Sequence, residues 1–164
     1  MLALLVAATA GLSCPVDTAE YVLRGDPDVT ASFRPVDSGP DWPSGLALWI
    51  HIARTGHDSW WLPWNGGTDD KQNLASTSDV MAPGWRPPSP DGGPRPAGDI
   101  EYIGMNRDYD VADAVPRRGE RAPAHFLLPH LGEALWYRGK PPHADRPGKR
   151  FFDLVACTPV RRAS

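Results

Sequence analysis

The chain has 164 residues and a formal net charge of −3, with both signs spread along it. This length suits one domain with a sizeable core, and with no basic block longer than two residues the chain offers no nucleic-acid surface. No run reaches the roughly 18 apolar residues that a membrane-spanning helix requires.

Composition points to a class. There are 19 prolines and 16 glycines, and Asp outnumbers Glu sixteen to four. These residues favour turns over helices, so many short strands and loops are expected.

Met1–Ala10, MLALLVAATA, is an apolar run that ends in small residues, and Ala8-Thr9-Ala10 fits an A-x-A cleavage site. It reads as a signal peptide, although it lacks a basic n-region; the alternative is a buried N-terminal strand or helix. Residues 11–164 then form a single β-rich domain. The two cysteines, Cys14 and Cys157, lie near opposite ends. In an exported protein such a pair reads as a disulfide; two free thiols are the alternative. Lipid attachment at Cys14 is the weaker reading, because Leu12 in Gly11-Leu12-Ser13 is one place off the lipoprotein pattern.

Thr18–Arg24 and Val29–Val36 alternate apolar and polar residues and read as a hairpin across the turn Gly25–Asp28. Arg24-Gly25-Asp26 spells the cell-adhesion tripeptide, a chance match to which no role is given. Asp37–Ser44 is a loop.

The stretch Gly45–Thr77 holds four of the seven tryptophans. Leu46–Arg54 is expected as a strand, Thr55–Asp58 as its hairpin loop and Ser59–Trp64 as the return. The expected register sets Ile52 against Trp61 and Trp49 against Trp64. One face then carries Leu48, Ile50, Ile52 and Trp61, and the other Trp49, His51, Trp60, Leu62 and Trp64. Pro63 cannot donate to a ladder, so the return is expected to be an edge strand or to end near Leu62. Two accounts of the aromatic face are open: burial on both sides of the strand, or an exposed platform. The loop Asn65–Asn73 carries Gly66 and Gly67 among Asn, Asp and Gln. It reads as a turn and a short helix capped by Asp69, with Gln72 three residues on. Trp49, His51, Trp60, Trp64, Asn65, Asp69, Asp70 and Asn73 are the candidate ligand-binding residues, since aromatic faces beside amides and carboxylates suit sugars and peptides.

After Ser78 the alternation stops. Pro83–Gly98 is more than half Pro and Gly and cannot be a central strand or helix; Trp85 and Arg86 are expected to pin it. Asp99–Met105 reads as a strand. Asn106–Val115 is a short helix capped by Asn106, or a strand. Pro116–Pro123 is a loop, Ala124–Leu128 a strand, and Leu131–Tyr137 a strand or a helical turn. Gly139–Lys149 is a loop and Phe151–Cys157 the last strand, with Phe151, Asp153, Val155 and Cys157 on one side; Val160–Ser164 is a basic tail. The whole is all-β: an antiparallel sandwich or partly open barrel of seven or eight short strands with long Pro/Gly loops.

No G-x-S-x-G, H-E-x-x-H or paired CxxC occurs. Asn65–Asn73 does not follow the calcium-loop order, so no metal and no cofactor is assigned. The reading is a non-catalytic, exported module, periplasmic or extracellular, that binds a glycan, a peptide or an envelope protein. The rival is a hydrolase with His51 or His57 as base and Asp69 or Asp70 as partner. A structural assembly subunit is the third possibility, marked by an exposed apolar patch or an open sheet edge.

Overall fold

The computed structural model describes residues 11–67, 71–139 and 145–158. Asp69, Asp70, the apolar segment 1–10 and the basic tail lie outside them. Period-two alternation builds the first hairpin. β1 (Ala19–Leu23) buries Ala19, Tyr21 and Leu23, and β2 (Asp26–Pro35) buries Val29, Ala31 and Phe33. The turn is tighter than the sequence suggests: β2 begins at Asp26, with Gly25 at φ 73°. A register shift between Val22 and Leu23 absorbs the difference.

The remaining elements are β3 (Leu46–Ile52), β4 (His57–Gly66), β5 (Lys71–Thr77), β6 (Asp99–Glu101), β7 (Ile103–Met105), β8 (His125–Leu127), α1 (Leu131–Arg138) and β9 (Phe151–Cys157). All the strands belong to one antiparallel sheet in the order β6-β5-β4-β3-β2-β1-β9-β8-β7. The two edge strands are consecutive in sequence, with Tyr102 alone between them. The chain therefore runs up and down around a nearly closed barrel, and the sandwich alternative falls. Among the described residues nine strands replace the expected seven or eight, because β5 forms where a turn and short helix were expected and because Asp99–Met105 divides at Tyr102: β6 pairs with β5 and β7 with β8.

The central hairpin keeps its expected faces but not its register. Ile52 faces His57, Trp49 faces Trp60 and Leu48 faces Trp61. Ala53–Gly56 is the connection, turned by Gly56 at φ 67°. The offset is an even number of residues, so every side chain stays on its predicted face. Pro63 neither ends the strand nor marks a sheet edge. The β3 ladder stops at Leu48 and Trp61, and β4 continues to Gly66 against β5 alone. The short helix expected after Asp69 is replaced by β5, which includes Gln72 and Asn73.

Asn106–Val115 is neither helix nor regular strand; Met105 and Val111 form an isolated bridge across a tight loop. Leu131–Arg138 is the helical alternative, one residue longer than expected. In β9 a bulge breaks the predicted alternation. Tyr21 faces Leu154 while Glu20 faces Ala156, so Val155 is extruded and exposed, and Cys157 falls opposite Ala19 on the core side.

The barrel interior is filled by aromatic rings. Tyr21 and Phe126 meet edge-on at 4.8 Å, and Phe126 stacks on Phe152 at 4.7 Å. Trp61, Phe33 and Tyr102 complete this core, and Leu131 and Leu135 of α1 pack into it. A second cluster covers the outside of β3–β5: Trp42, Ala47, Leu62, Ala75 and Val80, with Trp60, Trp64 and Trp85 partly buried against it. The Pro/Gly segment is its cover. Trp42 Nε1 donates to Pro88 O (2.9 Å), Trp85 Nε1 donates to Thr77 Oγ1 (3.2 Å), and the Arg95 guanidinium lies 5.2 Å from the Trp42 ring centroid. Arg86, expected beside Trp85 as a pin, is exposed.

Cys14 and Cys157 are bonded, with Cα atoms 6.1 Å apart and 143 residues between them in sequence. The bond ties the entry to β1 to the end of β9, the two strands that pair to complete the barrel. A loop of this length corresponds to about 5 kcal/mol in the chain-entropy account. Urea unfolding with and without reductant should show a loss of unfolding free energy of that order, and a Cys14→Ser/Cys157→Ser variant should match the reduced protein.

Candidate functional site

β3 and β4 present the aromatic face outward, and the face is neither sealed nor fully open. Trp61 is in the core, whereas Trp49, Trp60 and Trp64 are half-buried. Trp49 stacks on Trp60 with ring centroids 6.0 Å apart and planes 21° apart. The Arg34 guanidinium, from β2, sits 5.4 Å from the Trp49 ring centroid. Asp58 completes the group. Its Oδ1 accepts the Trp49 indole N–H at 2.8 Å and lies 2.8 Å from His51 Nδ1. Both contacts use one oxygen. The other accepts no hydrogen bond among the described residues, on a side chain that is 48% exposed, beside a His51 side chain that is 33% exposed.

Asp58 and Trp60 open onto a cleft of about 340 Å³, with Thr77, Ser78, Asp79 and Arg138 around it. Aromatic carbon, two carboxylates, four hydroxyls and a guanidinium surround one concavity of the size that small ligands occupy. Asp58 escaped the sequence reading because it was placed in the hairpin loop; the true register sets it directly opposite His51.

Trp64, Asn65 and Asn73 do not join this group, and Asp69 and Asp70 lie outside the described residues. The Trp64 ring covers Gly66, where a Cβ would come within 2.3 Å of Cζ3, and its Nε1 is buried without a hydrogen-bond partner among the described residues. Asn65 Oδ1 accepts the Val115 N–H at 3.0 Å, and Asn73 Nδ2 donates to Lys71 O at 2.9 Å. Both amides are engaged in holding backbone. His57 lies 3.1 Å from the buried Asp145, which also accepts from Thr55 Oγ1. That contact ties the segment before β9 to the β3–β4 connection. Among the described residues no three His, Cys, Asp or Glu side chains converge as metal ligands.

A second polar group lies on β1, β8 and β9. Arg24 grips Asp153 with two hydrogen bonds, Nε to Oδ2 at 2.8 Å and Nη2 to Oδ1 at 2.7 Å. Asp153 Oδ1 is also 2.7 Å from His125 Nδ1, and Tyr109 stacks on His125 at 4.5 Å with planes 4° apart. Arg24 Nη2 donates to Tyr109 Oη at 2.9 Å and lies over Phe151, 4.9 Å from its centroid to Cζ. Tyr109 adopts φ 64°, a left-handed conformation that a bulky side chain resists. Asn106 holds it there: Oδ1 accepts the N–H groups of Asp108 (2.8 Å) and Asp110 (3.0 Å). The capping chemistry read at Asn106 is thus present, but it closes a turn instead of opening a helix.

The hydrogen bonds from Arg24 hold the Asp153 carboxyl below its ordinary value, against the opposing effect of burial, with a smaller contribution from His125. A depressed folded value means stability that is present above the unfolded value, about 3.9, and lost as pH falls through the folded one. Asp153→Asn should therefore be less stable than wild type at pH 7, and urea titrations should show the gap closing below about pH 4.

Comparison with protein-family models, with curated proteins and with solved structures finds no match to this chain.

Proposed function

We propose that this protein is an exported, non-catalytic binding module and that its outer wall at Trp49, Trp60 and Asp58 holds a glycan. One observation carries the reading: Asp58 is fixed by the Trp49 indole and by His51 through a single oxygen, beside the half-exposed Trp60 ring at the edge of a hydroxyl-bearing cleft. A sugar needs an apolar surface for its C–H face and acceptors for its hydroxyls. Trp60 and the available Asp58 oxygen supply both with little ordering cost, since Trp49 and His51 already hold the carboxylate. Export rests on the apolar start of the sequence and on the disulfide, which persists in oxidising compartments. No helix among the described residues is long and apolar enough to cross a membrane. A peptide or an envelope protein is the alternative ligand of the same wall.

The 2.8 Å contact between His51 and Asp58 favours a second reading, a hydrolase in which His51 is the base and Asp58 orients it. Turnover separates the two readings. Intrinsic-fluorescence titration with cello-, chito- and malto-oligosaccharides and with muropeptides should give a saturable change for at least one series and no product. Asp58→Asn should weaken that ligand about tenfold, as expected for losing a charged hydrogen-bond acceptor, without moving the unfolding midpoint by more than a small amount. A screen in which no oligosaccharide alters the fluorescence removes the glycan reading. Product formation that His51→Ala abolishes favours the hydrolase.

A further inference from the structure

The cleft beside Trp60 brings opposite charges together without pairing them. Asp58, Asp79 and Arg138 all line it, and all three are exposed. Each is held by its own surroundings. Asp58 Oδ1 is fixed by the Trp49 indole and by His51, both at 2.8 Å. Asp79 Oδ1 accepts the Met81 N–H at 2.8 Å, which closes a local turn. The Arg138 guanidinium lies against Gly98, where a Cβ would come within 3.1 Å of Cζ and 3.3 Å of Nη1. Gly98 O accepts the Ser76 N–H at 3.0 Å, so the guanidinium stands beside the end of β5, and Asp79 follows two residues after that strand. Among the described residues Arg138 forms no hydrogen bond or ion pair, and the second oxygen of each carboxylate accepts none. His57, the remaining titratable side chain on the lining, is turned to Asp145 at 3.1 Å. Charge-assisted hydrogen bonds to a ligand therefore compete with no bridge inside the cleft.

We propose that the glycan of this cleft is bipolar: a sugar carrying both a protonated amine, taken by Asp79, and a carboxylate, taken by Arg138. The inference rests on the glycan reading of the Trp60 wall and narrows it. A purely anionic sugar would meet two carboxylates, and a purely cationic one would meet the guanidinium. A ligand with both signs answers each group with its opposite. The planar fork of Arg138 matches a carboxylate in two places at once. Asp58 keeps the part of hydroxyl acceptor, because its fixed oxygen already receives two contacts.

Four sugars that differ only in these two groups make the test: N-acetylglucosamine, glucosamine, N-acetylmuramic acid and muramic acid. They are titrated into the oxidised full chain at about pH 6, where amines are protonated and carboxylates ionised, and amide shifts are read at Ser78, Asp79 and Gly139. Muramic acid carries both charges and should bind about three- to fivefold more tightly than either singly charged sugar, as an exposed ion pair contributes. Added salt should shrink that preference. Arg138→Gln should erase the difference between muramic acid and glucosamine, and Asp79→Asn the difference between muramic acid and N-acetylmuramic acid. Equal affinity for muramic acid and N-acetylglucosamine overturns the inference and leaves the glycan reading standing. A preference that survives in both variants also overturns it, because the charges then act elsewhere. No saturable shift with any of the four overturns it as well, and the oligosaccharide titration then decides separately whether the glycan reading stands.

Discussion

Pairing of the first strand with the last is the constraint on which the rest of this structure depends. β1 and β9 meet only after the whole chain has been laid down between them, and Cys14–Cys157 locks that meeting. Without it the sheet would fall into a six-stranded part, β6 to β1, and a three-stranded part, β9 to β7, each with edges exposed to pairing with other chains. With it, the remaining edges fall on one short segment around Tyr102, and the interior closes on Tyr21, Phe33, Phe126 and Phe152. Closure of so long a loop is entropically costly and favours slow folding, and the covalent tie removes part of that cost once formed.

Closure on an aromatic interior has a consequence for function. A barrel of this strand number holds one small ligand or is filled by its own side chains. Here the rings and the two leucines of α1 fill the middle. Open space is left where the sheet is interrupted and where its outside is only half-covered. The segment at Tyr102 is the first, because strand pairing changes partner there. The wall at Trp49 and Trp60 is the second, because the Pro/Gly segment covers the outside of β3–β5 only in part.

That segment explains why β3 and β4 carry apolar side chains on both faces. A central strand covered on one side only would show polar residues on the other. Here Trp42, Trp85 and the Arg95 guanidinium fasten an irregular chain across the outer face, and proline suits it because such a chain has no ladder to feed. Trp60 lies at the margin of this cover, half-buried against it and half open to the cleft. Both accounts of the aromatic face therefore hold in part: the sheet is buried toward Leu62 and Ala75 and half-open toward Trp49 and His51.

The sequence by itself determined whatever depends on period and composition. The inward set of β1 and β2, the two faces of the central hairpin, the irregular Pro/Gly stretch and the cysteine pair were all legible, since alternation and residue chemistry are local properties. Register was not legible. Moving β4 along β3 by an even number of residues leaves every face unchanged, so the hydrophobic pattern cannot tell Ile52–His57 from Ile52–Trp61; the turn at Gly56 decides it. The error hid Asp58, and with it the carboxylate of the candidate site. The bulge at Val155, the split at Tyr102 and the union of Arg24, Tyr109, His125 and Asp153 were equally out of reach. Each exists only because segments distant in sequence are brought side by side by a closed sheet, and no local pattern encodes which distant residue will be the neighbour.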